Sequence, residues 1–272
     1  MSDVLTVERE AHVATLWLDS PERRNAMGPA FWADLPLVMR ELSDDRDVRA
    51  VVLAGKGPHF TVGLDLKAFG GTFAGGGDGS RSEAARRNEL LRTVKRMQAT
   101  MNAVADCPKP VIAAVHGYCI GGGIDLITAC DVRLAAADAV FSVRETKIAI
   151  VADVGTLQRL PGIVTEGHVA ELVYTGKDIG AARAKEIGLV NDVLPDADGV
   201  LEAARAMARE IAENSPLAVQ GAKAVLRACR GKSVADGLDY VAVWNSAFIQ
   251  SNDLMEAMTA FVEKRRPRYT GE

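Results

Sequence analysis

The 272 residues are 48% apolar and 25% charged, with a formal net charge of −4, a composition that excludes a disordered chain. No basic excess is present, so nucleic acid is not an expected partner. The length lies near the upper limit of a single hydrophobic core and predicts one large domain, or a core with an appendage, rather than two equal halves.

The N-terminal stretch MSDVLTVERE is acidic and lacks an apolar h-region, and no run is long enough to cross a bilayer; neither export nor membrane insertion is expected. VATLWLD (13–19) and VRAVVLAG (48–55) are short β-branched runs ended by Asp or Gly, and PAFWADLPLVMREL between them has helical apolar spacing. The order strand, helix, strand follows. FGGTFAGGGDGSRSEAARR is rich in Gly and Ser and predicts a surface loop around 70–80, of the kind that can cover a site, leading into a long helix through about Ala105. PVIAAVHG (110–117) is a nearly continuous apolar strand, a helix runs from about Gly123 to Cys130, and DVRLAAADAVFSV supplies further strands. Alternating strands and helices predict an α/β class with partly parallel sheets. After Pro195 the pattern becomes helical, at 198–213, 216–230, 233–250 and 253–264, with NSP and RGKS as breaks. Residues 1–195 therefore read as the core and 196–272 as a helical appendage.

Cys107, Cys119, Cys130 and Cys229 form no C-x-x-C pair, and His12, His59, His116 and His168 are scattered. Free thiols in a reducing cytoplasm and no metal site are expected.

GYCIGGGIDLITACD (117–131) sets Gly121, Gly122 and Gly123 between a buried strand and a helix. Such a triplet lets a ligand approach the backbone and points helix N-terminal amides at it. A dinucleotide fingerprint fails because Leu126 stands where the third glycine belongs, and GKGPHF lacks the Ser or Thr of a Walker A loop. HFTVGLDL (59–66) is a second junction of this kind, with Gly63 before Leu64 and Asp65. Two amides converging on one oxygen would form an oxyanion hole; for Asp65, an acid in the first turn of a helix is the better reading. Three further acids stand out: Asp125 among Ile124, Leu126 and Ile127, Glu145 in VRETKI, and Asp153 in VADVGTLQRLP. Each has an ordinary explanation, respectively a helix-dipole partner, a solvated charge and a helix cap. An acid on an apolar face beside an oxyanion hole, however, has the perturbed pKa of a proton carrier.

At these residues the sequence resembles the crotonase, or enoyl-CoA hydratase/isomerase, superfamily, in FTVGLDL, in HGYCIGGGIDLITACDVRLAAADAVFSV and in GLVNDVLP. The resemblance runs from about Val4 to Pro267. It implies a crotonase-like spiral of ββα turns with a helical C-terminal trimerisation region, a homo-trimer or a homo-hexamer built as a dimer of trimers, and acyl-CoA thioester substrates. It further implies that the amides of Leu64 and Gly122 form the oxyanion hole, with Ala26, Thr61, Val62, Gly63, Asp65 and Gly121 around the substrate. Coenzyme A enters as part of the substrate, so no separate cofactor is implied. Arg24 in PERRNA matches a position for a cation near the CoA phosphates, and Phe261 and Lys264 in FVEKRRPR are offered to the adenine or phosphates, including those of a neighbouring subunit. Solvated surface charge is the rival reading for these.

Hydratases of the family carry Glu where Asp125 stands and typically Gly where Asp153 stands. The set Asp125, Glu145 and Asp153 is instead similar to the Δ3,5-Δ2,4-dienoyl-CoA isomerases of unsaturated fatty acid β-oxidation. That chemistry takes a proton from C2 and delivers one to C6, too far apart for one carboxylate, so two acid/base groups are wanted. Glu145 is expected to take the proton at C2 and Asp153, protonated at rest, to deliver one at C6, with Asp125 orienting the diene or Glu145 and tuning its pKa. An enoyl-CoA hydratase, a Δ3-Δ2-enoyl-CoA isomerase and a non-catalytic acyl-CoA-binding protein remain alternatives.

Overall fold

The computed structural model describes residues 2–73 and 82–272, residues 71–73 by their backbone only. Its strands are β1 (Leu5–Glu10), β2 (Val13–Leu18), β3 (Ala50–Gly55), β4 (Val111–Val115), β5 (Tyr118–Ile120), β6 (Val132–Ala136), β7 (Val140–Ser142), β8 (Ile179–Gly180) and β9 (Asp192–Leu194). The helices are α1 (Pro29–Asp44), α2 (Leu66–Phe73), α3 (Glu83–Asp106), α4 (Gly122–Ala129), α5 (Thr156–Arg159), α6 (Glu166–Thr175), α7 (Ala181–Glu186), α8 (Ala197–Ala212), α9 (Pro216–Ala228), α10 (Val234–Phe248) and α11 (Asn252–Glu263).

Six strands form one sheet in the order β1-β2-β3-β4-β6-β9, antiparallel between β1 and β2 and parallel elsewhere. The short β5, β7 and β8 form a second sheet, which a bridge between Thr61 and Cys119 extends. One spiral turn, β4-β5-α4, runs from a strand of the large sheet into the small one and then into a helix. This is the α/β class that the alternating pattern predicts, arranged as the spiral that the resemblance implies.

The apolar runs of β3 and β4 are continuous because both faces of the sheet are buried. Val51, Leu53, Val111 and Ala113 join the larger core with Leu35 and Met39 of α1, Met101 of α3 and Leu126 of α4. Ala50, Val52, Ala54, Ile112 and Ala114 point the other way, where Val200, Ala204, Ala208 and Ala212 of α8 cover them. The division at residue 195 is drawn differently by this packing: α8 is a core layer, and only α9 to α11 stand apart from the sheet. A four-residue spacing of mostly alanine lets α8 lie close to the strands.

The loop expected from about residue 69 begins later than its glycines imply, because α2 continues through Gly70 and Gly71 to Phe73. Asp65 provides its start, its Oδ1 accepting from the amides of Lys67 and Ala68, both at 3.1 Å. The lid expected around 70–80 falls largely outside the described residues. Strand β1 is an edge strand carrying Glu8, Arg9 and Glu10, and β5 has three residues; neither is long or apolar enough to announce itself. The four cysteines are free thiols, three of them buried. Among the described residues no helix is long and apolar enough to cross a membrane.

Candidate active site

The two glycine junctions meet. At Gly63 the backbone is left-handed, φ +80°, and a Cβ added there would lie 2.5 Å from the carbonyl of Ile120 and 3.1 Å from the amide of Gly122. Only a glycine permits that approach and that φ together. Thr61, fully buried, fixes the first turn: its hydroxyl donates to the Asn25 carbonyl at 2.6 Å and accepts from the amide of Gly63 at 3.1 Å. Met27 holds the segment from its other side, its amide donating to Gly63 O at 2.8 Å and its carbonyl accepting from the amide of Asp65 at 3.2 Å.

On the second turn, Ile120 N donates to Thr61 O, Gly121 N to Ser142 O and Ile124 N to Gly121 O. Among the described residues the amides of Leu64 and Gly122 donate to no acceptor. A Cβ on Gly122 would stand 3.8 Å from Leu64 N. Two donors thus lie near each other with nothing among the described residues to satisfy them. Orphaned backbone donors in a closed setting are rare, and here both residues line one pocket.

That pocket is lined by Trp32 of α1, Val62, Leu64, Val94 and Met97 of α3, Gly121 and Gly122, and by Ile148, Ile150 and Val154. Asp125, Glu145 and Asp153 all line it as well. The sequence separates these acids by up to 28 positions, and the spiral brings them to one apolar cleft. A larger cavity of about 650 Å³ lies among α9, α10 and α11, against Val225, Trp244 and Phe248. It holds none of the three acids and neither free amide, so the smaller cleft is the chemically equipped one.

Asp125 stands in the first turn of α4, as the dipole reading expects, but the fold gives it a further contact and sets aside the ordinary readings of Glu145 and Asp153. Asp125 is 1% exposed and leaves its own helix, its Oδ1 accepting from Thr156 N of α5 at 2.5 Å. Burial pushes its pKa up to about 6, against the hydrogen bonding at Thr156. Glu145 is half-buried, and its Oε2 is enclosed without a hydrogen-bond partner among the described residues. Burial, and next the charge of Asp125, push its pKa up to about 7. Its Oε1 comes within 3.5 Å of where a Gly121 side chain would begin, one residue before the free amide of Gly122.

Asp153 does not cap α5; the residue before that helix is Gly155, which has no side chain to do so. Asp153 sits at the mouth of the cleft, solvent-exposed on one side. Desolvation by the pocket wall on its other side raises its pKa, and its charge in turn raises those of Asp125 and Glu145. The charge of Asp153 is thus felt at both of the other carboxyls.

The residues expected around coenzyme A divide. Arg24 is exposed in a left-handed turn, φ 55°, and its carbonyl accepts from the amide of Val62 at 3.2 Å. Ala26 is half-buried between that turn and Met27. Asp65 is spent on capping α2 and on an ion pair with Arg23, so its side chain is structural. Phe261, 86% exposed, and Lys264, the left-handed cap of α11, do not line the cleft. The sequence reading missed Trp32 and the α3 side chains Val94 and Met97. The apolar spacing of Val94, Met97 and Met101 marks a buried face but not what it is buried against. No group of three or more metal-ligating side chains occurs among the described residues.

Comparison with known proteins gives the family. Residues 8–272 match the model of the enoyl-CoA hydratase/isomerase family. The mitochondrial Delta(3,5)-Delta(2,4)-dienoyl-CoA isomerase of Dictyostelium discoideum is 44% identical over 94% of this chain and 86% of its own length. The peroxisomal enzyme of that name from Arabidopsis thaliana is 42% identical over 98% of this chain and 96% of its own. Among solved structures, a putative enoyl-CoA hydratase from Streptomyces coelicolor A3(2) superposes with a TM-score of 0.90 at 33% identity, covering 100% of this chain and 96% of its own. The matched fold, the whole-length identity and the paired glycine turns make this chain a member of the enoyl-CoA hydratase/isomerase, or crotonase, family.

Proposed function

We propose that the protein isomerises 3,5-dienoyl-CoA to 2,4-dienoyl-CoA. The observation that carries this reading is the convergence of three acids with raised pKa values and two unpaired amides on one apolar cleft. Relatives named for this reaction, at 42% and 44% identity, support it.

The thioester oxygen accepts from the amides of Leu64 and Gly122. Because C2 is bonded to the thioester carbon, the base that serves it must lie beside that amide pair, as Glu145 does. Ionised Glu145 removes a C2 proton, and the released electron pair spreads over the diene and the thioester oxygen as a dienolate. Backbone donors stabilise that developing charge, and losing one typically costs ~3 kcal/mol of barrier. Protonated Asp153 then donates to C6, the electrons close into the 2,4-diene, and the carbonyl is restored. Glu145 ends protonated and Asp153 ionised; proton exchange with solvent at the open mouth resets both. Asp125 keeps Glu145 at a proton affinity near the working pH, where a general base is most effective. The conversion is redox-neutral and calls for no cofactor beyond the CoA carried by the substrate.

Arg24 serves the CoA phosphates of its own site. Phe261 and Lys264 lie outside the cleft and are assigned to the CoA end of a neighbouring subunit's site in a homo-trimer or dimer of trimers.

Diene absorbance tests the reading. Wild type should convert a 3,5-dienoyl-CoA, and Asp153→Asn, which removes the titratable group, should lower kcat by ~100-fold or more. Faster hydration of crotonyl-CoA than diene isomerisation would replace this reading with that of a hydratase, and binding without turnover of either would leave a binding protein.

A further inference from the structure

Asp153 lies in a stretch with neither helix nor strand, yet the proposed reaction needs its carboxyl at a fixed distance from Glu145. Helix α3 supplies the anchor. Gln98 Nε2 donates to the backbone carbonyl of Asp153 at 2.7 Å. One turn further on, Asn102 Oδ1 accepts from Nη2 of Arg159. Arg159 Nη1 reaches back to the carbonyl of Val154 at 3.5 Å. Gln98 and Asn102, four residues apart, share one face of α3, and Val94 and Met97 of the same helix line the cleft. Between the two ties stands Gly155 at φ +139°, where a Cβ would fall 1.8 Å from Arg159 Nη1. The guanidinium occupies the space a side chain would take.

We infer that Gln98, Asn102 and Arg159 are positioning residues that tie the 153–155 turn to α3 and thereby set the span between the C2 base and the C6 acid. This inference rests on the dienoyl-CoA isomerase reading. None of the three lines the cleft, so each acts through Asp153. Arg159 also places a positive charge near Asp125 and lowers its proton affinity, which makes its removal the less selective change. Gln98 is the cleaner probe, because its side chain is half-buried and its bond to a backbone carbonyl involves no charge.

The test separates the two proton transfers on one substrate. In D2O, wild type and Gln98→Leu are given a 3,5-dienoyl-CoA. The rate of 2,4-diene formation is followed by absorbance, and deuterium at C2 of the unreacted substrate by mass spectrometry. C2 exchange needs Glu145 and the amides; product formation also needs Asp153 in place. Misplacing a reacting group by about 1 Å costs up to ~100-fold, so Gln98→Leu should lose ~10-fold or more in kcat at unchanged KM, with C2 exchange within about twofold of wild type. Asn102→Leu should reproduce this split, guarding against a folding defect in one variant. Equal loss of both rates, or loss of neither, in the two variants overturns the positioning role. A wild type that forms no 2,4-diene overturns the functional reading itself, and this inference with it.

Discussion

Asp125 is buried, at 1% exposure, and its carboxyl accepts from the amide of Thr156, so ionising it in the fold is unfavourable. Its folded pKa of about 6 lies above the unfolded value of 3.8. The stabilisation from holding its proton is therefore complete below about pH 4 and lost as pH rises through 6. A tenfold change in proton affinity corresponds to about 1.4 kcal/mol, so keeping the acid ionised costs on the order of 3 kcal/mol at neutral pH. Asp125→Asn should melt higher than wild type at pH 8, by roughly 5 °C or more, with the difference shrinking toward pH 4 in calorimetric scans. The same variant removes the negative charge that raises Glu145. The acid limb of kcat/KM, expected near pH 7 in wild type from the raised pKa of Glu145, should move to lower pH. An unmoved limb would show that Glu145 does not titrate against Asp125. At the amide pair, Gly122→Ala sets a methyl 2.9 Å from Met27 Sδ and beside Leu64 N. The thioether can shift, but in the proposed reaction a thioester oxygen could not move without losing its donors. Steady-state kinetics should show ~100-fold loss of kcat, with little change in melting temperature.

At the scale of elements, α8 shows how much a spacing of small residues can hide. Ala204 is fully buried between the helix axis and the sheet, and Ala204→Leu would force the layers apart. Overpacking of this kind costs ~1–3 kcal/mol, so the urea midpoint should fall while the cleft chemistry is retained. From sequence, α8 was legible as a helix but not as a core layer, because alanine at every fourth position is as good a helix former in solvent as on a sheet. The opposite holds for β3 and β4, whose unbroken apolar runs already imply burial on both faces. Helix α3 was legible in length. Its function as the wall that carries Gln98 and Asn102 to the acid loop was not, since polar residues on a long helix ordinarily face water.

For the whole molecule, α10 and α11 leave large apolar side chains in the open, among them Val234 at 80%, Val243 at 71%, Phe261 at 86% and Val262 at 79% exposure. Exposed apolar surface on this scale marks an interaction face, in accord with the proposed assembly. Light scattering coupled to gel filtration should return three or six times the 29.0 kDa of one chain. A monomer would detach Phe261 and Lys264 from any role at a neighbouring site. By itself the sequence determined the α/β class and the two glycine turns and singled out Asp125, because glycine at a strand-to-helix junction and a carboxylate in an apolar run are local violations of packing preference, readable without coordinates; Glu145 and Asp153 each have an ordinary reading in the sequence, which only the family resemblance outweighed. Only the tertiary structure decided that Asp125 turns from its own helix to the amide of α5, that Glu145 is enclosed, and that Asp153 sits at the mouth of the same cleft rather than capping the next helix. Those outcomes depend on which segments the spiral stacks against one another, and burial, not residue type, sets how tightly a carboxyl holds its proton.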